Sequence, residues 1–237
     1  MRENAWHVRL PKTEHLQWFK NLVDLHDLTT SWLKETQTER PSHLLTRGLH
    51  SEIGSNLWML ESLSTTRLEN LLDETPVENL LTRLEKTIWV VQAWTLNSLR
   101  DRAQEKTLHA LDSLLEQLCW KLGRKTAEIR WKKALSKNTP TLNLQEVLLA
   151  LNDSPFSGYP HSSGFLVRRS ISQELFIEMR ACPHRLTIPE VQAVADRLCQ
   201  LHTDWIRGFV YALNNRIYVE SQTCNPRCQQ HWLYKTV

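Results

Sequence analysis

What the sequence lacks excludes several classes of protein. No segment approaches the roughly 20 uninterrupted apolar residues that a membrane-spanning helix needs. Residues 1–16 contain no apolar stretch of the signal-peptide type. Only 6 of the 237 residues are glycine, which disfavours an all-β fold built on tight hairpins. We therefore expect a cytoplasmic protein that does not associate with a membrane.

Signature motifs of several enzyme classes are also missing. The sequence contains no P-loop, no G-x-S-x-G and no H-E-x-x-H. It therefore leaves open whether the chain is an enzyme. What is present is a composition with 41% hydrophobic and 23% charged residues, which is enough for a packed core.

The first part of the chain is predicted to be helical. Apolar residues recur at helical spacing over residues 13–36, about 43–63, about 76–100 and about 104–137. Thr95 places a polar residue on the apolar stripe of the third helix, and Gly123 is predicted to kink the fourth. Cys119 has no other cysteine near it in sequence and is expected in the core.

In the second part of the chain, the spacing of the apolar residues changes. A short helix is predicted over residues 144–152 and a loop over 153–164. Strands follow at 165–167 and 175–179, then a helix from 189 to about 213, then strands at 216–220 and 231–234. The predicted fold class is α+β: a helical N-terminal half (1–103) followed by a β-β-α-β-β antiparallel sheet domain (104–237) that binds a ligand or metal.

Four of the five cysteines lie between residues 182 and 228, and three histidines lie between residues 184 and 231. Thiolate and imidazole are the ligands that zinc prefers, and sets of four cysteines also hold iron–sulfur clusters. An odd number of cysteines in a reducing compartment argues against a disulfide framework. The alternative is that these residues are buried thiols and surface histidines.

The predicted topology brings some of these residues together. Cys182 and His184 end the second strand, and the third strand returns Cys224 and Cys228 toward the start of the helix. Cys199 lies roughly 15 Å into that helix at 1.5 Å per residue. The predicted metal ligands are Cys182, His184, Cys199, Cys224 and Cys228, and the predicted cofactor is zinc or, alternatively, an iron–sulfur cluster.

The second part also resembles a known family. A helix with Leu122-Gly123 precedes two strands ending in Cys182-Pro183, a helix with Asp196-x-x-Cys199 and a hairpin with Cys228. Over about 105–237 this order is similar to the small α+β domains of the 4-vinyl reductase and amino-thiazoline-carboxylate hydrolase-like group. The resemblance implies a ligand pocket between helices and sheet, with the cysteines near its rim. The chain departs from the group in its extra histidines and in its Asn225-Pro226-Arg227 turn.

Three functions follow from these patterns. The first is a metal- or small-ligand-binding sensor or accessory protein, whose N-terminal helices contact a protein partner or form a homodimer. The second is a hydrolase-type enzyme that uses a cysteine or a metal-bound water in the same pocket. The third is a nucleic-acid-associated protein acting through the basic helix 121–137, with Arg130, Lys132 and Lys133 as contacts.

Overall fold

The computed structural model describes residues 13–38, 76–103, 105–131, 142–152, 154, 165–171, 174–179, 189–222 and 229–234. Its helices are α1 (Thr13–Thr38), α2 (Val77–Arg102), α3 (Glu105–Arg130), α4 (Leu144–Asn152), α5 (Pro189–Ala193) and α6 (Ala195–Leu213). Its strands are β1 (Phe165–Ile171), β2 (Glu174–Met179), β3 (Ile217–Gln222) and β4 (Gln229–Tyr234).

Helices α1 and α2 lie side by side and run in the same direction. Near their first turns, His15 Nε2 is 3.1 Å from Glu78 Oε1. Further along both helices, Gln92 Nε2 donates a hydrogen bond to the Leu25 carbonyl at 3.1 Å. Residues early in one helix therefore meet residues early in the other. A parallel pair needs a long connection, and residues 39–75 separate the two helices in sequence.

Helices α3 and α6 make the most extensive helix contact in the described chain, and two glycines permit it. A Cβ atom on Gly123 would lie 2.8 Å from the carbonyl carbon of Trp205, and one on Gly208 would lie 2.7 Å from that of Trp120. Each glycine therefore faces the backbone of the other helix. Gly123, which the sequence predicts as a kink, lies inside a continuous helix and allows close packing instead.

An ion-pair network also joins α3 to α6. The buried guanidinium of Arg197 lies 2.8 Å from Glu116 Oε1 and 3.1 Å from Asp112 Oδ1, and it donates a further bond to the Asp112 carbonyl. Arg207 pairs with Asp204 and donates to a backbone carbonyl of β3. These contacts fix α6 against both α3 and the sheet.

Helix α4 begins at a reciprocal cap. Asn143 Oδ1 accepts hydrogen bonds from the backbone N–H groups of Gln145 and Glu146, and Glu146 Oε2 accepts one from the Asn143 N–H. This is a capping box, which satisfies backbone donors that a helix start otherwise leaves open. The C-terminal end of α6 contacts the same region, where Asn214 Nδ2 donates to the Leu142 carbonyl.

The four described strands pair antiparallel in the order β1-β2-β4-β3. Leu175 and Ile177 of β2 and Ile217 and Val219 of β3 are buried, because alternate residues of a strand point to the same face. Tyr218, between the last two, is exposed. Helix α6 packs beside β3, so the sheet lies at one side of the helices.

The predicted fold class is wrong. The described chain is mainly helical, rather than a helical half followed by a separate sheet domain. Its strands have six or seven residues each, whereas three of its helices have 26. The physical reason is that α3 and α6 bury their apolar faces chiefly against other helices. Residues on both sides of position 103 consequently belong to one hydrophobic core.

Individual elements agree better with the sequence patterns. The predicted short helix over 144–152 is confirmed, and strands occupy the four predicted segments. The predicted helix from 189 onward is interrupted at Val194, where α5 ends and α6 begins. The predicted helix over 43–63, almost all of the loop over 153–164 and residues 132–137 lie outside the described residues. No helix among those described is long and apolar enough to cross a membrane.

Candidate functional site

The predicted metal centre is not supported. Among the residues that the structure describes, no group of three or more histidine, cysteine, aspartate or glutamate side chains is placed to hold a metal ion. Cys182, His184, Cys224 and Cys228 lie outside those residues. The metal-binding and iron–sulfur character predicted from the spacing of these residues is therefore not upheld by the described residues, and the zinc or iron–sulfur cofactor itself stays a prediction.

Cys199, the one predicted ligand that is described, is a core residue of α6. Its backbone carbonyl accepts a hydrogen bond from Thr203 Oγ1 at 2.8 Å. His202 follows one turn later and is also buried, with its ring centroid 5.4 Å from that of Trp89 on α2. The structure thus directs this part of α6 toward α2.

Cys119 is buried in α3, as expected. Burial raises the pKa of its thiol well above the ordinary value, while a hydrogen bond with Trp32 acts in the opposite direction. The thiol therefore stays protonated at neutral pH and is a packing group, because the thiolate is the reactive form.

Arg130, predicted to contact nucleic acid, makes internal contacts instead. Its guanidinium pairs with Asp24 of α1 and donates to Asn21 Oδ1 at 3.3 Å. Asn21 in turn donates to the Ser154 carbonyl. Burial raises the pKa of Asp24, and the charge of Arg130 opposes that shift. Lys132 and Lys133 lie outside the described residues.

Two polar side chains of the core belong to α2. Gln92 and Thr95 are both fully buried, one turn apart. The Gln92 amide donates to the Leu25 carbonyl, which also accepts a hydrogen bond from Thr29 Oγ1. Gln92 Oε1 and Thr95 Oγ1 have no hydrogen-bond partner within the part of the chain that the structure describes. An acceptor and a hydroxyl group therefore remain available inside the helical core.

Glu85 lies two turns before Gln92 and is half-buried. Burial raises the pKa of its carboxyl group, and hydrogen bonds from Trp89 and Trp18 lower it. Trp89 also contacts His202, so the carboxyl group lies near one end of the α2–α6 contact. We refer to Glu85, Gln92 and Thr95 as the α2 polar stripe.

A partial signal for this stripe is present in the sequence, because Thr95 interrupts an apolar pattern at a core position. Gln92 and Glu85 gave no such signal, because they lie beside the apolar residues of that pattern and not among them. Those residues are Leu80, Leu81, Leu84, Ile88, Val91 and Trp94. In the structure Trp94 is exposed, while Trp89 and Gln92 are buried. Helix α2 is covered on more than one side, so its buried arc is wider than that of a surface helix.

No family model, no curated protein and no solved structure matches the chain.

Proposed function

We propose that this protein is an accessory protein that binds a small organic molecule at the α2 polar stripe. The observation that carries the proposal is the pair of fully buried polar atoms, Gln92 Oε1 and Thr95 Oγ1, that have no hydrogen-bond partner among the described residues. Buried polar groups in proteins are nearly always hydrogen-bonded, and exceptions call for an explanation. A bound ligand supplies the missing partners.

The free-energy cost of burying a polar atom also favours a bound ligand. A buried polar atom that lacks a partner costs about 1–3 kcal/mol. Leucine has nearly the shape of the glutamine stem, and valine has nearly the shape of threonine. Either would fill the same space without leaving a buried polar atom that lacks a partner. A binding function gives these two side chains a use that packing alone does not.

The chemistry of the stripe restricts the ligand. Gln92 Oε1 accepts hydrogen bonds, Thr95 Oγ1 donates or accepts, and Glu85 offers a carboxyl group. Glu85 and Thr95 lie about 15 Å apart along the helix at 1.5 Å per residue, so an elongated molecule with N–H donors along its length is needed to reach all three groups. A primary amine at one end of such a molecule also pairs with the ionised form of Glu85. The ligand class that we propose is therefore a small organic amine.

A hydrolase function has less support from the described residues. It needs an activated thiol or a metal-bound water. The Cys119 thiol stays protonated because of its burial, and Cys199 is a core residue. We therefore include no chemical step in the proposal.

Binding can be tested by nuclear magnetic resonance, titrating a panel of small primary amines and their N-acetylated counterparts. We expect shifts at backbone amides of α2 that are lost in Thr95→Val and Gln92→Leu. The matched control is Thr87→Val on the same helix, whose hydroxyl already donates to the Arg83 carbonyl at 2.9 Å. The proposal fails if no compound shifts α2, or if Thr87→Val and Thr95→Val weaken binding equally.

A further inference from the structure

Helices α3 and α6 together present a cluster of aromatic and basic side chains at the surface. The ring centroids of Trp120 and Tyr211 are 5.4 Å apart, with their planes tilted by 51°. The guanidinium carbon of Arg124 lies 5.9 Å from the centroid of Trp120. Tyr211 is 44% exposed. An aromatic ring with a guanidinium beside it thus faces solvent.

The glycine contact between the helices explains why these rings meet. Trp120 lies three residues before Gly123, and Tyr211 lies three residues after Gly208. Because the two backbones approach so closely at the glycines, large side chains one turn away come into contact across the crossing. The cluster is therefore held by a rigid part of the fold.

Positive charge surrounds the aromatic pair. Lys121, Arg124 and Lys125 are exposed on α3, and Glu128 is the acidic residue of the same exposed segment, where it accepts a bond from Arg124 Nε at 2.8 Å. Three cations and one carboxylate give the segment a charge of +2, whereas the whole chain carries +3. The surface is thus complementary to an anionic partner.

We infer that this aromatic–basic surface (Trp120, Lys121, Arg124, Lys125 and Tyr211) binds single-stranded nucleic acid. A base stacks on the exposed ring of Tyr211, and Lys121 and Lys125, about one helical turn apart, pair with phosphates. An acidic peptide would match the charge, but its Asp and Glu side chains carry no aromatic ring to stack on Tyr211. Single-stranded nucleic acid supplies both an anion and a planar ring at every step.

This surface differs from the nucleic-acid contacts predicted from the sequence. Arg130 is occupied by Asp24 and Asn21, so it belongs to the fold. The contacts are instead placed one to three turns earlier on α3 and include a tyrosine from α6. The inference does not depend on the ligand proposed at the α2 polar stripe, which lies on a different helix.

The first experiment is fluorescence anisotropy with the full chain and a labelled oligothymidine of about 20 nucleotides at low salt. Tyr211→Ala is compared with Tyr218→Ala, because Tyr218 is 48% exposed but lies on β3. We expect Tyr211→Ala to weaken binding roughly tenfold, the loss of one stacked base, and Tyr218→Ala to leave it unchanged. Circular dichroism confirms that both variants fold.

The second experiment separates charge from stacking. Lys121→Gln/Lys125→Gln is compared with Lys34→Gln/Lys86→Gln, which removes two exposed lysines from other helices. For single strands each phosphate contact contributes about −0.7 to the slope of log K against log salt, so the first pair is expected to flatten that slope by about 1.4. Glu128→Gln releases Arg124 and is expected to tighten binding.

Three results would overturn the inference. The first is no binding of wild-type protein to the oligonucleotide at low salt. The second is an equal loss of affinity in Tyr211→Ala and Tyr218→Ala. The third is that polyglutamate binds as tightly as the oligonucleotide and that Tyr211→Ala weakens neither interaction. That result would assign the surface to an acidic protein partner instead.

Discussion

The α3–α6 contact and the α1–α2 contact bring helices together by opposite means. In the first, Gly123 and Gly208 let two backbones meet with no side chain between them. In the second, the space between parallel helices holds large rings such as Trp18 and the buried amide of Gln92. One interface is closed by backbone, and the other is filled by polar and aromatic side chains.

The difference indicates where the molecule has room for function. The glycine contact leaves no space for a ligand, and the buried charges around it are paired, as for Arg197 with Asp112 and Glu116. The α2 polar stripe instead holds an uncharged amide oxygen and a hydroxyl group that have neither an ion pair nor a hydrogen-bond partner among the described residues, which costs free energy of folding. We therefore attribute stability to the buried side of α3–α6 and propose that a ligand bound inside the molecule would lie at α2, and the variants below test that division.

Gly208→Ala is expected to have the largest effect. In a helix interior this change ordinarily stabilises by about 1 kcal/mol. Here the added Cβ would fall within 2.7 Å of the Trp120 carbonyl carbon, so we expect a loss of about 3 kcal/mol or more in the free energy of unfolding. Urea denaturation measures it.

Gln117→Ala, an exposed change on α3, is the matched control and should alter the free energy of unfolding by less than about 0.5 kcal/mol. A stable Gly208→Ala protein would mean that the two helices separate easily, and the contrast between the interfaces would not hold.

Arg197→Met is expected to come second, with a loss of about 3 kcal/mol in the free energy of unfolding, because it leaves two carboxylates beside α6 without their cation. The control is Arg124→Met, which breaks the exposed pair with Glu128 and should change stability little. Thermal unfolding of both variants checks this. Equal losses would show that burial does not distinguish the two ion pairs.

Local patterns carried most of what the sequence revealed about the fold. Helix spacing located α1, α2 and α3, and Asn143 with Glu146 started α4 where the sequence places a helix. The layer arrangement was missed because it depends on contacts between distant segments. A glycine inside a helix, such as Gly123, is typical of a kink. Nothing near it in sequence reveals that it packs against the backbone of Trp205 on another helix.

The candidate site was harder to predict, because residue type alone does not show whether a side chain binds a ligand or packs in the core. Clustered cysteines predicted a metal site; of its predicted ligands Cys199 is a core residue, and the others lie outside the described residues. A basic run suggested a charged surface, yet Arg130 is held by Asp24. Thr95 was visible as a polar residue in an apolar stripe, but its significance depends on which groups surround it, and that requires the fold.

Thr95→Val is expected to raise stability, in contrast to the two losses above. The valine removes a hydroxyl that has no hydrogen-bond partner among the described residues while keeping the shape of the side chain, so we expect a gain of about 1 kcal/mol in the free energy of unfolding. Thr87→Val is the control, and urea denaturation compares them. A clear loss at Thr95→Val would mean that the hydroxyl is satisfied and that α2 holds no spare polar group.

Glu85→Gln is expected to have the smallest effect, visible only in the pH dependence. Burial raises the pKa of the Glu85 carboxyl above its ordinary 4.5, so the folded protein holds this proton more tightly than the unfolded chain. The resulting stabilisation is present below the unfolded pKa and is lost as the pH rises through the folded pKa. Wild-type stability should therefore fall more steeply than that of Glu85→Gln above pH 4.5.

Asp24 and Asp204, whose pKa values are also raised by burial, contribute the same slope to both proteins, so the difference between the two curves isolates Glu85. Urea denaturation across that pH range measures it, with Glu14→Gln on the exposed start of α1 as the matched charge control. Parallel curves for wild type and Glu85→Gln would show that the carboxyl group is solvated like a surface residue. The α2 polar stripe would then lose its acidic end, and an amine ligand would lose its ion pair.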